Sequence, residues 1–314
     1  MSRVALQRLR EEADPERASA LALELLRDHR ERQIVDVALA KLKDCSPGES
    51  ARAILRAKAL YYLDNPDHDS GCDIRDALVR LLLDIGNPAD LDLYLRGVEV
   101  HEQLRGVDVA QTLRASSLVG IALIDSGLGS AYAIKLLADL ADTSRFSGEP
   151  AITAIGLLHE QGNTLPIYQL LLMLAQIPDP PFPQVKVAPE VESKALELMD
   201  ADFPAALYRE VATPYVQSDR VIPQVGIVSY LVSKRRSELY GLLETIVNAT
   251  HHDDLHRYTV IEIAASREIL LIDLLYRFAA TSAAKRIANY IEAVELTTDT
   301  RRDEVLVGLR KRLE

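Results

Sequence analysis

Asp73-Ile74-Arg75-Asp76-Ala77-Leu78-Val79-Arg80-Leu81-Leu82-Leu83-Asp84-Ile85-Gly86-Asn87-Pro88, continued by Ala89-Asp90-Leu91-Asp92-Leu93-Tyr94-Leu95, is the stretch whose reading decides the fold. Ile74, Leu78, Leu81, Leu82 and Ile85 fall at i, i+4, i+7, i+8 and i+11, a single stripe on a helix of 3.6 residues per turn. Asp73 stands where an N-cap is expected and sets negative charge at the positive end of the helix dipole. Gly86 suits the left-handed closing residue, and Pro88 suits the first turn of a following helix. Leu91, Leu95 and Val98 then restart the stripe. So short a turn places the two helices antiparallel. Such a hairpin leaves an apolar face on each side and needs neighbours of its own kind.

Ile74-Arg75, the small Ala77, Leu82, Gly86 and Pro88 together resemble the HEAT-like repeat, in the variety found in phycobilin-lyase-type proteins. Thr112-Leu113-Arg114-Ala115 through Gly127 is similar again, with Arg114 and Gly127 in the places of Arg75 and Gly86. Turns are expected near 14, 46, 87, 128, 163, 202, 235, 267 and 298, about 30 to 40 residues apart, the interval of helix-pair repeats. Strand-like alternation is nearly absent. The resemblance and the spacing together imply an all-α chain, one right-handed α-solenoid of about nine antiparallel helix pairs over residues 1–314. The polar first helix and the segment Thr300–Glu314 suit its caps.

Composition agrees with that architecture. At 48% hydrophobic and 26% charged residues the chain is globular rather than disordered. Its core palette of Leu, Ala, Ile and Val, with no Trp and four Phe, favours helices. Cys45 and Cys72 are too few for a disulfide framework. The first ten residues alternate charge with apolar side chains, unlike a signal peptide. No run approaches the roughly 18 apolar residues of a membrane span. These features lead to an expectation of a cytoplasmic protein without a membrane partner. The net charge of −11 disfavours indiscriminate binding to nucleic acid. The acidity is uneven: residues 1–218 hold 22 Lys+Arg against 33 Asp+Glu, whereas 219–314 hold 14 of each.

Two departures from the rhythm point to function. Ile177–Pro189 is proline-rich and cannot form a regular helix. It reads as a stiffened inter-repeat connection, or else as a hinge or a loop presenting Phe182 to a partner. In the last third, Lys234, Arg235, Arg236, Arg267, Arg301 and Arg302 fall at expected turns, one repeat apart. Equivalent positions in a solenoid align, so these cations are candidates for a basic ridge that grips phosphate, nucleic acid or an acidic partner. The simpler reading has them complementing helix C-termini.

Several clusters mimic chemical motifs. His251-His252-Asp253-Asp254-Leu255-His256 carries metal-ligating types, and His252 and His256 share a face if the helix begins early enough. The competing reading, which is preferred, makes this a helix start capped by Asp253 and Asp254. His252-Asp253 is similar to the His-Asp pair of metal-dependent phosphohydrolases, but no His lies between His159 and His251 to supply that family's upstream ligand. His101-Glu102 and His159-Glu160 resemble the paired motifs of deoxyhypusine hydroxylase, which implies four motifs where this chain has two. Asp64–Asp73 lacks calcium-loop spacing and reads as a solvated acidic turn. No GxSxG, GxGxxG or Walker-type loop is present. HEAT-like DNA glycosylases rely on Trp, which is absent here.

The expectation is therefore a protein-interaction scaffold without catalytic residues or cofactor. The alternatives are an anion- or nucleic-acid-binding module, and a metal-dependent or chromophore-handling enzyme of a HEAT-like family.

Overall fold

The computed structural model describes residues 2–139, 147–175 and 187–313. Among these residues there are 18 α-helices and a single two-stranded hairpin, so the chain is all-α. No helix of the described residues is long and apolar enough to cross a membrane. The chain divides into two compact units, residues 1–157 and 158–314.

The first unit opens with α1 (Ser2–Glu11), α2 (Pro15–Asp28), α3 (Arg32–Cys45), α4 (Arg52–Asp64), α5 (Asp73–Ile85) and α6 (Leu91–Gly97). The hairpin β1 (Gln103–Leu104) and β2 (Val107–Asp108) follows, then α7 (Gln111–Ile124) and α8 (Ser126–Ala138). The helix α9 (Ala151–Glu160) spans the division between the units. Within unit 1, α1, α3, α5 and α7 pack side by side, and α2, α4 and α6 form a second row against them.

The second unit holds α10 (Leu165–Ala175), α11 (Pro189–Glu197), α12 (Ala205–Val216), α13 (Val221–Ser233), α14 (Tyr240–Ala249), α15 (Asp253–Ala265), α16 (Ile269–Thr281), α17 (Ile287–Glu295) and α18 (Arg302–Lys311). Here too the helices alternate between rows: α11, α13, α15 and α17 in one, and α10, α12, α14, α16 and α18 in the other.

The opening stretch shows how sequence becomes packing. Ile74, Leu78, Leu81 and Leu82 are buried, each such side chain contributing about 1.5–3 kcal/mol of burial free energy. Gly86 closes α5 at φ 71°, the left-handed position, and its N–H donates to the Leu82 carbonyl. The cap differs from the expectation. Asp73 is already helical and exposed, and the carboxylate that receives the first amides is Asp69, at 3.2 Å from Ile74 N and 3.0 Å from Arg75 N. Asp69 is fully buried, so the Asp64–Asp73 segment is not simply a solvated turn. On α6 the buried face is Leu93, Tyr94 and Gly97, continued by Val98, whereas Leu91 and Leu95 stay half-exposed.

The turn expected at Leu128-Gly129 lies inside α8; the break comes at Asp125, whose side chain accepts from Leu128 N at 2.9 Å. Gly127 therefore sits in a first helical turn and does not play the part of Gly86. Gly129 serves close approach instead of a turn: a Cβ there would stand 2.6 Å from the Cα of Ala122 on α7.

Candidate functional site

A groove of about 650 Å³ lies between α3 and α5. Two helical stripes build it. Asp36, Ala40 and Lys43 come from α3 at i, i+4 and i+7; Asp73, Asp76, Ala77, Arg80 and Asp84 come from α5 at i, i+3, i+4, i+7 and i+11. These stripes lie beside the ones that face the core. Ala40 and Ala77 are small, which opens the space, and Leu39 and Leu81 supply an apolar floor.

The rim is acidic. Four aspartates, Asp36, Asp73, Asp76 and Asp84, stand against Lys43 and Arg80. Asp76 accepts from Arg80 Nε at 2.9 Å and from Ser116 Oγ at 2.7 Å, and Asp73 is held by Arg32 at 2.5 Å. Asp84 makes no ion pair among the described residues. Burial raises the Asp36 carboxyl above its ordinary value; Arg32 opposes this, and the negative charges of Asp73 and Asp69 add to it. Four carboxylates against two cations make this rim a place where an incoming cation gains electrostatic free energy.

Beneath this surface lies a repeated Asp–Arg device that sequence reading passed over. Arg75 is buried and pairs with Asp69 at 3.1 Å and Glu102 at 2.5 Å. Arg114 is fully buried and pairs with Asp108, which also caps the start of α7 through Ala110 N at 3.0 Å. In both cases the Asp precedes its Arg by six residues. That spacing was the available signal. Buried charge is costly unless paired and hydrogen-bonded, and these groups are both. Cys72 lies beside this cluster, and burial pushes its thiol up to about 12, which disfavours the thiolate.

The six cations expected to form a ridge have different surroundings. Arg236 is buried, its guanidinium donating to the Ala201 carbonyl, Tyr230 and Glu238. Arg301 is clasped by Asp273 at 2.7 Å and Asp299 at 2.9 Å, and Arg302 pairs with Asp303 at 2.9 Å. Lys234, Arg235 and Arg267 form no ion pair among the described residues. Arg235 and Arg267 occupy the left-handed position after α13 and α15, at φ 53° and 55°. Phe182 lies outside the described residues, as does most of the proline-rich stretch 177–189.

The histidine cluster divides. His256 is fully buried on α15, between Tyr290 Oη at 3.2 Å and Asn289 Nδ2 at 3.1 Å. Burial, reinforced by Arg286 and opposed by Asp253, lowers its ring to about 4, so it is neutral. The helix begins at Asp253, with His252 as a cap that makes no side-chain capping bond, so His251 and His252 are loop residues and do not share a helical face with His256. They meet Asp219 instead: His252 Nε2 lies 2.6 Å and His251 Nε2 3.2 Å from its Oδ1. The hydrogen bond from His252 lowers the Asp219 carboxyl. Of the two His-Glu motifs, Glu102 accepts from Arg75 and His159 Nδ1 lies 3.5 Å from Asp200.

Compared with known proteins, the chain matches no family model, no curated protein and no solved structure.

Proposed function

We propose that the chain is a protein-interaction scaffold, a HEAT-like right-handed α-solenoid of about nine helix pairs that binds a partner on its helical surface. The two-row alternation of helices inside each unit supports the solenoid reading, because repeats of this kind stack on their sequence neighbours. The groove between α3 and α5 is the single observation that carries the binding reading. Its apolar floor and acidic rim suit a basic amphipathic segment, with apolar side chains against Leu39 and Leu81 and cations toward Asp36 and Asp84. Recognition of this kind is geometric, with charge setting register and on-rate more than raw affinity.

Selection of displayed peptides on the purified chain tests this. The expected winners combine Lys or Arg with Leu, Ile or Phe at helical spacing. Their affinity falls at least about tenfold on joint Asp36→Lys and Asp84→Lys, a change of about 1.4 kcal/mol, and stays unchanged on Arg267→Glu. Peptides indifferent to the aspartate substitutions overturn the groove as the docking site. The anion-binding alternative rests on Lys234, Arg235 and Arg267 alone, since the other three cations are engaged internally, and it is the weaker reading.

A further inference from the structure

We propose that Asp219, His251 and His252 form a binding site for a divalent transition-metal ion of the zinc type. This is independent of the scaffold reading. The three side chains come from two connections, that between α12 and α13 and that between α14 and α15. Their potential ligand atoms all lie within 4.8 Å of one another. Ligand atoms of a tetrahedral zinc site, with bonds of about 2.0–2.1 Å, stand roughly 3.3 Å apart. The observed separations of 3.2 and 2.6 Å both lie below that value, so the His252 ring draws back from Asp219 as the ion enters. Both imidazoles present Nε2 to the same carboxylate oxygen, with their rings stacked at 4.5 Å. Two adjacent residues of a regular helix or strand point in different directions, so convergence of this kind requires the loop conformation seen here.

Both loops are braced from beneath by buried polar side chains. Gln224 donates to the Ser218 carbonyl at 2.7 Å and the Tyr215 carbonyl at 2.9 Å, fixing the residue before Asp219. Arg286 donates to the carbonyls of Val247 and Thr250, fixing the residue before His251. Thr250 Oγ1 in turn accepts from His252 N at 3.2 Å. A site held by such supports keeps its ligands in place before the ion arrives. The ion displaces the proton shared by His252 and Asp219, which leaves to solvent, and three protein ligands leave at least one coordination position to water. Two imidazoles and one carboxylate suit Zn²⁺, Co²⁺, Ni²⁺ or Cu²⁺; Mg²⁺ and Ca²⁺ prefer oxygen donors throughout. Bound metal ties together two loops 33 residues apart in sequence.

The test is equilibrium dialysis of the chelator-stripped chain against Zn²⁺, with Co²⁺ absorption as a spectroscopic readout. The expected result is one ion per chain and the visible bands of tetrahedral or five-coordinate cobalt. Affinity falls at least about tenfold in His252→Ala and in Asp219→Asn, and is unchanged in His101→Ala. Circular dichroism identical to that of the parent chain shows that the exposed substitutions leave the helices intact. Absence of binding, or binding that survives both His252→Ala and Asp219→Asn, overturns the proposal.

Discussion

Residues 1–157 and 158–314 both bury arginines beside helix ends, and they satisfy them with different partners. In the first unit Arg75 and Arg114 close on Asp69, Glu102 and Asp108, and Arg52 and Arg56 converge on the buried Asp90 at 2.8 and 2.9 Å. In the second unit Arg286 ends on the carbonyls of Val247 and Thr250, and Arg236 donates to the Ala201 carbonyl and to Tyr230 as well as to the exposed Glu238. Among the described residues of that unit the buried acid is Glu192, shared by Arg220 and Tyr215. The same sequence feature, an arginine near a helix terminus, thus does two jobs. One neutralises a buried carboxylate that caps a helix start; the other takes up carbonyls that a helix end leaves without amide partners.

The contrast fixes an order of expected effects. Arg114→Ala strands the Asp108 carboxylate in the interior and costs about 3–5 kcal/mol, read as a shift of the urea midpoint with hydrogen exchange localising the loss to the first unit. Arg286→Ala leaves neutral carbonyls without a donor and costs about 1–3 kcal/mol. Equal losses in the two variants would break the distinction between charged and neutral partners.

Acid acts next. His256 folds in the neutral form with its ring at about 4, whereas the unfolded chain holds it near 6.5. Between those values the unfolded state binds more protons. Stability therefore falls as pH drops from about 6.5 and levels off near 4. Denaturant titrations of the second unit across that range show the slope, and His256→Leu flattens it. The smallest effect belongs to Arg267→Gly, which relieves a left-handed non-glycine residue and raises stability by about 0.5 kcal/mol in the same titration.

Much of the helical order is legible in the sequence because Pro, Gly and apolar spacing act locally. Pro15 at the start of α2, Gly86 at the end of α5 and the stripe from Ile74 to Leu82 are where such rules place them. The Leu128-Gly129 turn misled because glycine also serves close packing, while the actual break rests on the Asp125 side chain. The repeat resemblance pairs Arg75 with Arg114 but does not supply their carboxylates, although the six-residue Asp-to-Arg spacing is present twice. For the histidines, residue type was informative and periodicity was not. The decisive partner, Asp219, is distant in sequence, and one residue of shift in the helix start separates His256 from its neighbours. The groove could have been read from the polar stripes Asp36-Ala40-Lys43 and Asp73-Ala77-Arg80-Asp84, which flank the core-facing ones.

The short hairpin has a consequence for where the chain tolerates insertions. Glu102, just before β1, supplies the carboxylate for Arg75 of α5, and Asp108, at the end of β2, supplies the one for Arg114 of α7. Its base is closed by Val109 N donating to the Glu102 carbonyl at 2.9 Å, and its tip, Arg105-Gly106, is exposed with nothing within 4 Å of a Cβ built on Gly106. Strand register has a period of two, so one residue added to either strand turns a carboxylate away from its arginine. The same residues added between Arg105 and Gly106 leave both carboxylates where they stand. A tag or a loop from another protein therefore belongs at the tip, and the two stems, although only two residues long, have no length to spare.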